Sequence, residues 1–148
     1  MLLKLSATCV GIMNKQTILF LCTHNAARSQ MAEGFVNAHF GNRYVARSAG
    51  SEPTELHPCA VEVMTERGID ISTQRAKSLN EFDDTQFDYV VTMCADAQEN
   101  CPIFPGGATY LHHPFVDPEA VAESGAEHCA YFRYVRDRIE EWIETKFL

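Results

Sequence analysis

Residues 17–33, TILFLCTHNAARSQMAE, constrain the fold more than any other stretch of the chain. Ile18-Leu19-Phe20-Leu21 is a short β-prone apolar run, the pattern of a strand buried on both faces. Met31, Phe35, Ala38 and His39 recur at three- to four-residue spacing and predict a helix over residues 29–40, stopped by Gly41-Asn42. Between strand and helix stand Cys22, Thr23, His24, Asn25, Ala26, Ala27 and Arg28. A loop that closes onto a helix N-terminus gathers successive backbone N–H groups around one point, which suits a tetrahedral oxyanion. Cys22 at its start is then expected as a nucleophilic thiolate. Arg28 at its end offers a planar fork to two oxygens of the same anion. Asn25 and Ser29 fit such a polar loop better than the alternative of a core cysteine and a surface arginine. The Gly-Lys-Ser/Thr ending of a nucleotide-binding loop is missing.

The remaining chain alternates strand and helix signals. Strands are predicted over residues 44–48, 87–93 and, more weakly, 109–112, and helices over 58–67 and 126–147. Pro58 opens the first of these helices, with Val61, Met64 and Cys59 facing inward, and Gly68 stops it. Ser78, with Glu81 three residues on, caps a short turn. Cys129, Phe132, Val135, Ile139 and Ile143 form one stripe of the last helix, with Cys129 as a small core residue without chemistry. The pattern predicts an α/β fold: a four-stranded parallel sheet with helices on both faces, a three-layer sandwich. Its ligand is expected at the carboxyl ends of the strands, where the Cys22 loop emerges. Residues 1–16 read as an N-terminal extension and 17–148 as a single catalytic domain.

Cys94 leaves the third strand at the same sheet edge, and Cys101 follows seven residues later. In a helix these two would lie about 10 Å apart along the axis, whereas a disulfide needs Cα atoms within about 7 Å. Joining them would unwind such a helix, so either a redox switch or two buried cysteines bracketing a structural helix fits the spacing.

Residues 22–33, with Ser48-Ala49-Gly50, His57-Pro58, Gly68-Ile69-Asp70-Ile71-Ser72, Asp88–Cys94 and Asp117-Pro118, resemble the thioredoxin-coupled arsenate reductases, which share the low-molecular-weight protein tyrosine phosphatase fold. The resemblance implies arsenate reduction by a Cys22/Cys94/Cys101 relay. Asp117 would act as the acid, and thioredoxin, or glutaredoxin with glutathione, as the external reductant. No tightly bound cofactor or metal is expected. Arsenate or phosphate would sit among Thr23, His24, Asn25, Ala26, Ala27, Arg28 and Ser29. Some members of the family bind a potassium ion through Asn, Glu, Ser and Asp. Here Asn25, Glu33 and Ser48 match the first three, and Lys77 stands where the acid is expected, so its ammonium would replace the cation. His24 stands where many relatives have glycine; if that place needs a positive φ, histidine is strained.

The alternatives are a tyrosine phosphatase using Cys22, Arg28 and Asp117, or a non-enzymatic redox sensor. Glu119 follows the Asp-Pro pair where phosphatases usually carry an aromatic residue. The net charge of −8 argues against a nucleic-acid partner, and no apolar run is long enough for a membrane span. Six cysteines in a chain with no secretory leader fit catalysis better than a disulfide framework. A cytoplasmic monomer is expected.

Overall fold

The structure, a computed structural model, describes residues 15–95, 101–121 and 129–147. Strands β1 (Gln16–Cys22), β2 (Tyr44–Gly50), β3 (Phe87–Thr92) and β4 (Gly107–His112) form one sheet in the order β2-β1-β3-β4. Every neighbouring pair is parallel, with Cys22 opposite Gly50 and Leu21 opposite Thr92. The helices are α1 (Arg28–His39), α2 (Pro58–Thr65), the short α3 (Pro118–Val121) and α4 (Ala130–Phe147), with a 3₁₀ turn at Leu79–Phe82. From β1 the chain moves to β2 on one flank and later lays β3 on the other. The order therefore reverses between β1 and β3, and a crevice opens there at the strand ends.

Period-two alternation assigns the two faces of β1. Ile18 and Phe20 join a core with Met31, Phe35 and Val36 of α1, Val63 and Met64 of α2, and Phe132, Ile139 and Ile143 of α4. Leu19 and Leu21 join a smaller core with Ala49, Phe87, Val90 and Phe104. Among the described residues that second face is covered by Phe104 and by Leu79 and Phe82 of the 3₁₀ turn. β4 is the exposed edge, which explains its weak apolar signal.

Four local expectations change. Helix α1 starts at Arg28 rather than Ser29, and Ala38 and His39 are exposed while Val36 is buried. In α2 the inward residues are Cys59, Ala60, Val63 and Met64, while Val61 is only half-buried. Gly68, at φ 73°, ends that turn as expected. Cys129 is not an inert member of the last helix's stripe: it precedes α4 and is disulfide-bonded to Cys59, with a Cα–Cα distance of 5.2 Å. The stripe itself runs through Phe132, Val135, Ile139, Ile143 and Phe147. Residues 1–14 and 96–100, including the helix expected between Cys94 and Cys101, lie outside the described residues.

Candidate active site

The loop between β1 and α1 is held from outside by its carbonyl groups. Those of Thr23, His24 and Ala26 accept from the amides of Glu52, Thr54 and His57 at 2.9, 3.1 and 2.9 Å. That of Asn25 accepts from the Gln30 Nε2 at 3.0 Å. In a planar trans peptide, N–H points opposite to C=O. Tying four carbonyls outward therefore turns the amides of His24, Asn25, Ala26 and Ala27 to the other side. Gly50 makes this possible, because a Cβ there would lie 2.5 Å from the Thr23 carbonyl oxygen. Positive φ falls on Asn25 (52°), not on His24, so the expected strain is not at the histidine; asparagine tolerates this region well.

Cys22 is buried and is a free thiol. Its Sγ lies 2.9 Å from Ser29 Oγ. Ser29 Oγ already accepts from Asn25 Nδ2 at 2.7 Å, which leaves its own proton to donate toward the sulfur. Asn25 Oδ1 in turn accepts from the Lys77 backbone amide at 2.8 Å and from Gln30 Nε2 at 3.0 Å. Gln74 Nε2 donates to Gln30 Oε1 at 2.7 Å. A chain of oriented amides thus ends on the Cys22 sulfur. Sequence reading missed Gln30, whose only signal is a polar residue on the buried side of α1, and Gln74, which lies in the loop after α2 and carries no signal.

Arg28 is buried beneath the loop. Its Nη1 donates to the carbonyls of Phe115 and Met93 at 3.2 and 3.4 Å, and its Nη2 lies 3.7 Å from Asp117 Oδ2. Met93 precedes Cys94, and Phe115 lies two residues before Asp117. One guanidinium therefore touches the loop that carries Asp117 and the exit of the strand that leads to Cys94. Asp117 also accepts from the Glu119 amide at 3.0 Å, fixing the turn into α3. Cys22, His24, Ala26, Ala27, Arg28, Asp117 and Glu119 line one small pocket of about 10 Å³, room for about one water. Trp142 packs against the same loop, with ring centroids 6.2 Å from Phe115 and 5.5 Å from His113.

The residues of the expected cation place also converge. Ser48 Oγ donates to Glu33 Oε1 at 2.7 Å, and Lys77 Nζ lies 3.6 Å from the same oxygen and 3.0 Å from the Arg75 carbonyl. The Lys77 side chain is 11% exposed. Burial lowers its pKa from the ordinary value, and the neighbouring Glu33 charge opposes that shift.

Cys94 and Cys101 form a disulfide at this same edge of the sheet, with a Cα–Cα distance of 5.7 Å. Cys94 is buried and Cys101 half-buried. Among the described residues, the one cluster of potential metal ligands is Cys59, Glu62 and Cys129. Its two sulfurs are bonded to each other and offer no thiolate. No described helix is long and apolar enough to cross a membrane.

Comparison with known proteins adds four observations. Residues 17–145 match the family described as low molecular weight phosphotyrosine protein phosphatase. The chain is 42% identical over 132 residues to an arsenate reductase of Bacillus licheniformis, covering 89% of this chain and 95% of that protein. A solved arsenate reductase in a phosphate-binding state superposes with a TM-score of 0.75 at 29% identity, covering 88% of this chain and 95% of the other. A thioredoxin-dependent arsenate reductase of Corynebacterium glutamicum gives a TM-score of 0.63 at 31% identity, covering 96% of this chain and 69% of the other.

Proposed function

The chain belongs to the low molecular weight phosphotyrosine protein phosphatase family, and from that premise we propose that it is an arsenate reductase drawing electrons from an external dithiol. The observation that carries this reading is the pairing of two sites at one sheet edge: an anion loop holding a free Cys22, and a bonded Cys94–Cys101 pair. Phosphoryl transfer needs only the first. Reduction needs two electrons as well, and the second pair supplies them.

The cycle starts with Cys22, Cys94 and Cys101 all reduced. Arsenate enters the loop and takes the guanidinium of Arg28 from Asp117. The Cys22 sulfur, held by Ser29, attacks arsenic, while Asp117 protonates the departing oxygen, which leaves as water. Cys94 then attacks the Cys22 sulfur. The sulfur–arsenic electron pair stays on arsenic, which leaves as arsenite, and a Cys22–Cys94 disulfide remains. Cys101 attacks Cys94, frees Cys22 and forms the Cys94–Cys101 disulfide seen here. The step that forms the Cys22–Cys94 disulfide is the two-electron reduction of arsenic, and the Cys101 step that follows is thiol–disulfide exchange. Half-buried Cys101 offers the reductant its point of attack. A dithiol protein of the thioredoxin type fits, as does glutaredoxin with glutathione; either places the enzyme in the reducing cytoplasm. Lys77 serves as a built-in cation beside Glu33, beneath the loop, and residues 17–148 act as one catalytic unit.

The test is arsenate-dependent NADPH consumption with thioredoxin and thioredoxin reductase, run beside glutaredoxin and glutathione. One of the two couples should sustain turnover, and Cys22→Ser should reduce it to background. Hydrolysis of aryl phosphate without any arsenate turnover would favour the phosphatase reading, against which Glu119 at the pocket wall already weighs.

A further inference from the structure

We propose that Cys59 and Cys129 form a second redox couple, separate from the Cys22/Cys94/Cys101 set, whose oxidation by a low-molecular-weight disulfide braces the anion loop. Cys59 is the second residue of α2, and Cys129 immediately precedes α4. Their sulfurs are bonded, and neither residue lines the pocket at Cys22. Cys59 is buried and Cys129 half-buried, so exchange begins at Cys129. The Cys129 thiolate attacks a small disulfide RSSR, giving a mixed disulfide and one RSH. Cys59 displaces the second RSH. Two protein thiols become one disulfide, and two electrons pass to the small disulfide, which leaves as two thiols.

His57 carries the effect to the anion loop. Its amide donates to the Ala26 carbonyl at 2.9 Å, one of the ties that orient the loop's peptide planes. Its Nδ1 accepts from the Cys59 amide at 3.0 Å. Its ring stacks on Phe132, three residues after Cys129, with centroids 4.5 Å apart. His57 is therefore held between the first turns of α2 and α4, and the disulfide joins those same two turns. Reduction frees one wall of this clasp from the other. Oxidation fixes both, and with them the peptide plane that presents the Ala27 amide.

This inference rests on the reading of the Cys22 loop as an oxyanion cradle, and not on arsenate turnover. The test uses the full chain carrying Cys9→Ser, Cys94→Ser and Cys101→Ser, so that Cys59–Cys129 is the one disulfide that can form without Cys22. The protein is equilibrated in glutathione buffers of graded poise. Free thiols are trapped with iodoacetamide, and the Cys59–Cys129 peptide is quantified by mass spectrometry. Inorganic phosphate is titrated calorimetrically at each poise. Disulfide formation should follow the poise, and phosphate should bind at least about fivefold tighter in the oxidised form, the low end of coupling between linked sites. Cys129→Ser and Cys59→Ala, added separately to that background, should hold the weaker affinity at every poise. The comparison within the unmutated pair stands even where such a variant folds poorly. Thiols that stay alkylatable at the most oxidising poise, or equal phosphate affinity in both states, would overturn the proposal. Phosphate that binds in neither state would overturn the cradle reading as well.

Discussion

Seven residues separate Cys94 from Cys101, and seventy separate Cys59 from Cys129. On the chain-entropy account the short closure restrains the unfolded chain by about 2 kcal/mol and the long one by about 4 kcal/mol. Their surroundings differ in the same sense. Cys101 is half-buried and followed by Pro102 and an Ile103 that is 88% exposed. Cys59 sits inside the main core beside Ala60, Val63 and Met64. The bond that the proposed relay opens on every cycle is placed where little stability depends on it and an outside thiol can reach one end. A bond that ties two helices is placed where opening it disturbs packing. What a disulfide does in this chain is decided by its loop length and burial.

The largest effect separates the two bonds by activity. Cys101→Ser should reduce multiple turnover of arsenate to background, leave one turnover intact and accumulate a Cys22–Cys94 disulfide, visible in unreduced peptides by mass spectrometry. Aryl phosphate hydrolysis should stay near its original rate. Full turnover in that variant would break the contrast at its first term. Cys59→Ala should do the reverse. Under oxidising conditions it should lose about 2–4 kcal/mol of stability in urea unfolding, while arsenate turnover with saturating substrate continues. If the losses of stability were equal at the two sites, loop length would not be the deciding variable.

A smaller effect concerns the prop beneath the loop. Lys77→Asp places a carboxylate beside Glu33, and it should cost about 1–3 kcal/mol in sodium buffer. Potassium should recover part of that loss, whereas the unmutated protein should respond little to the exchange. A strong potassium response in the unmutated protein would remove Lys77 from the cation's place.

The smallest effect asks whether sulfur or charge holds α2 to α4. Glu66, just past α2, pairs with Arg133 and Arg136 of α4 at 2.7 and 2.8 Å. The Arg133 hydrogen bond, despite some opposing desolvation, lowers its pKa from 4.5 to about 2. A depressed carboxylate stabilises the fold fully above its unfolded value and loses that contribution as pH falls toward the folded one. The window is therefore pH 4.5 down to about 2. Glu66→Gln should flatten the fall in stability across it. The effect should be under about 1 kcal/mol, because the side chain is more than a third exposed and solvent screens the pair. A larger change would rank the ion pairs with the disulfide as clamps.

Much of this molecule was legible in its sequence because local patterns carry it. The run Ile18–Leu21 announces a strand buried on both faces, and a cysteine and an arginine bracketing a loop before a helix announce an anion site. The sheet agrees with the first, and Cys22 and Arg28 line one pocket at its edge. Cys59–Cys129 was not legible, since seventy residues and the packing of two helices stand between its halves. The Asn25, Gln30 and Gln74 chain was hidden for a related reason: hydrogen-bond partners are chosen by tertiary placement, and glutamine carries no periodic signal. Nor does the glycine-like place at His24 reveal that the left-handed backbone falls one residue later, at Asn25. Arg28 was read as an anion clamp, but its hold on the carbonyls of Met93 and Phe115 depends on strands far away in the chain.

Trp142 is the chain's single tryptophan, and its indole rests against Phe115 and His113 on the loop that ends at Asp117. Since the Phe115 carbonyl is held by Arg28, an anion that claims that guanidinium should also shift what lies against the indole. The protein therefore carries its own optical reporter. Intrinsic emission, followed in a stopped-flow instrument, should resolve the moment of anion entry from the slower sulfur exchange of the proposed relay, with no dye attached and no coupled enzyme in the cuvette.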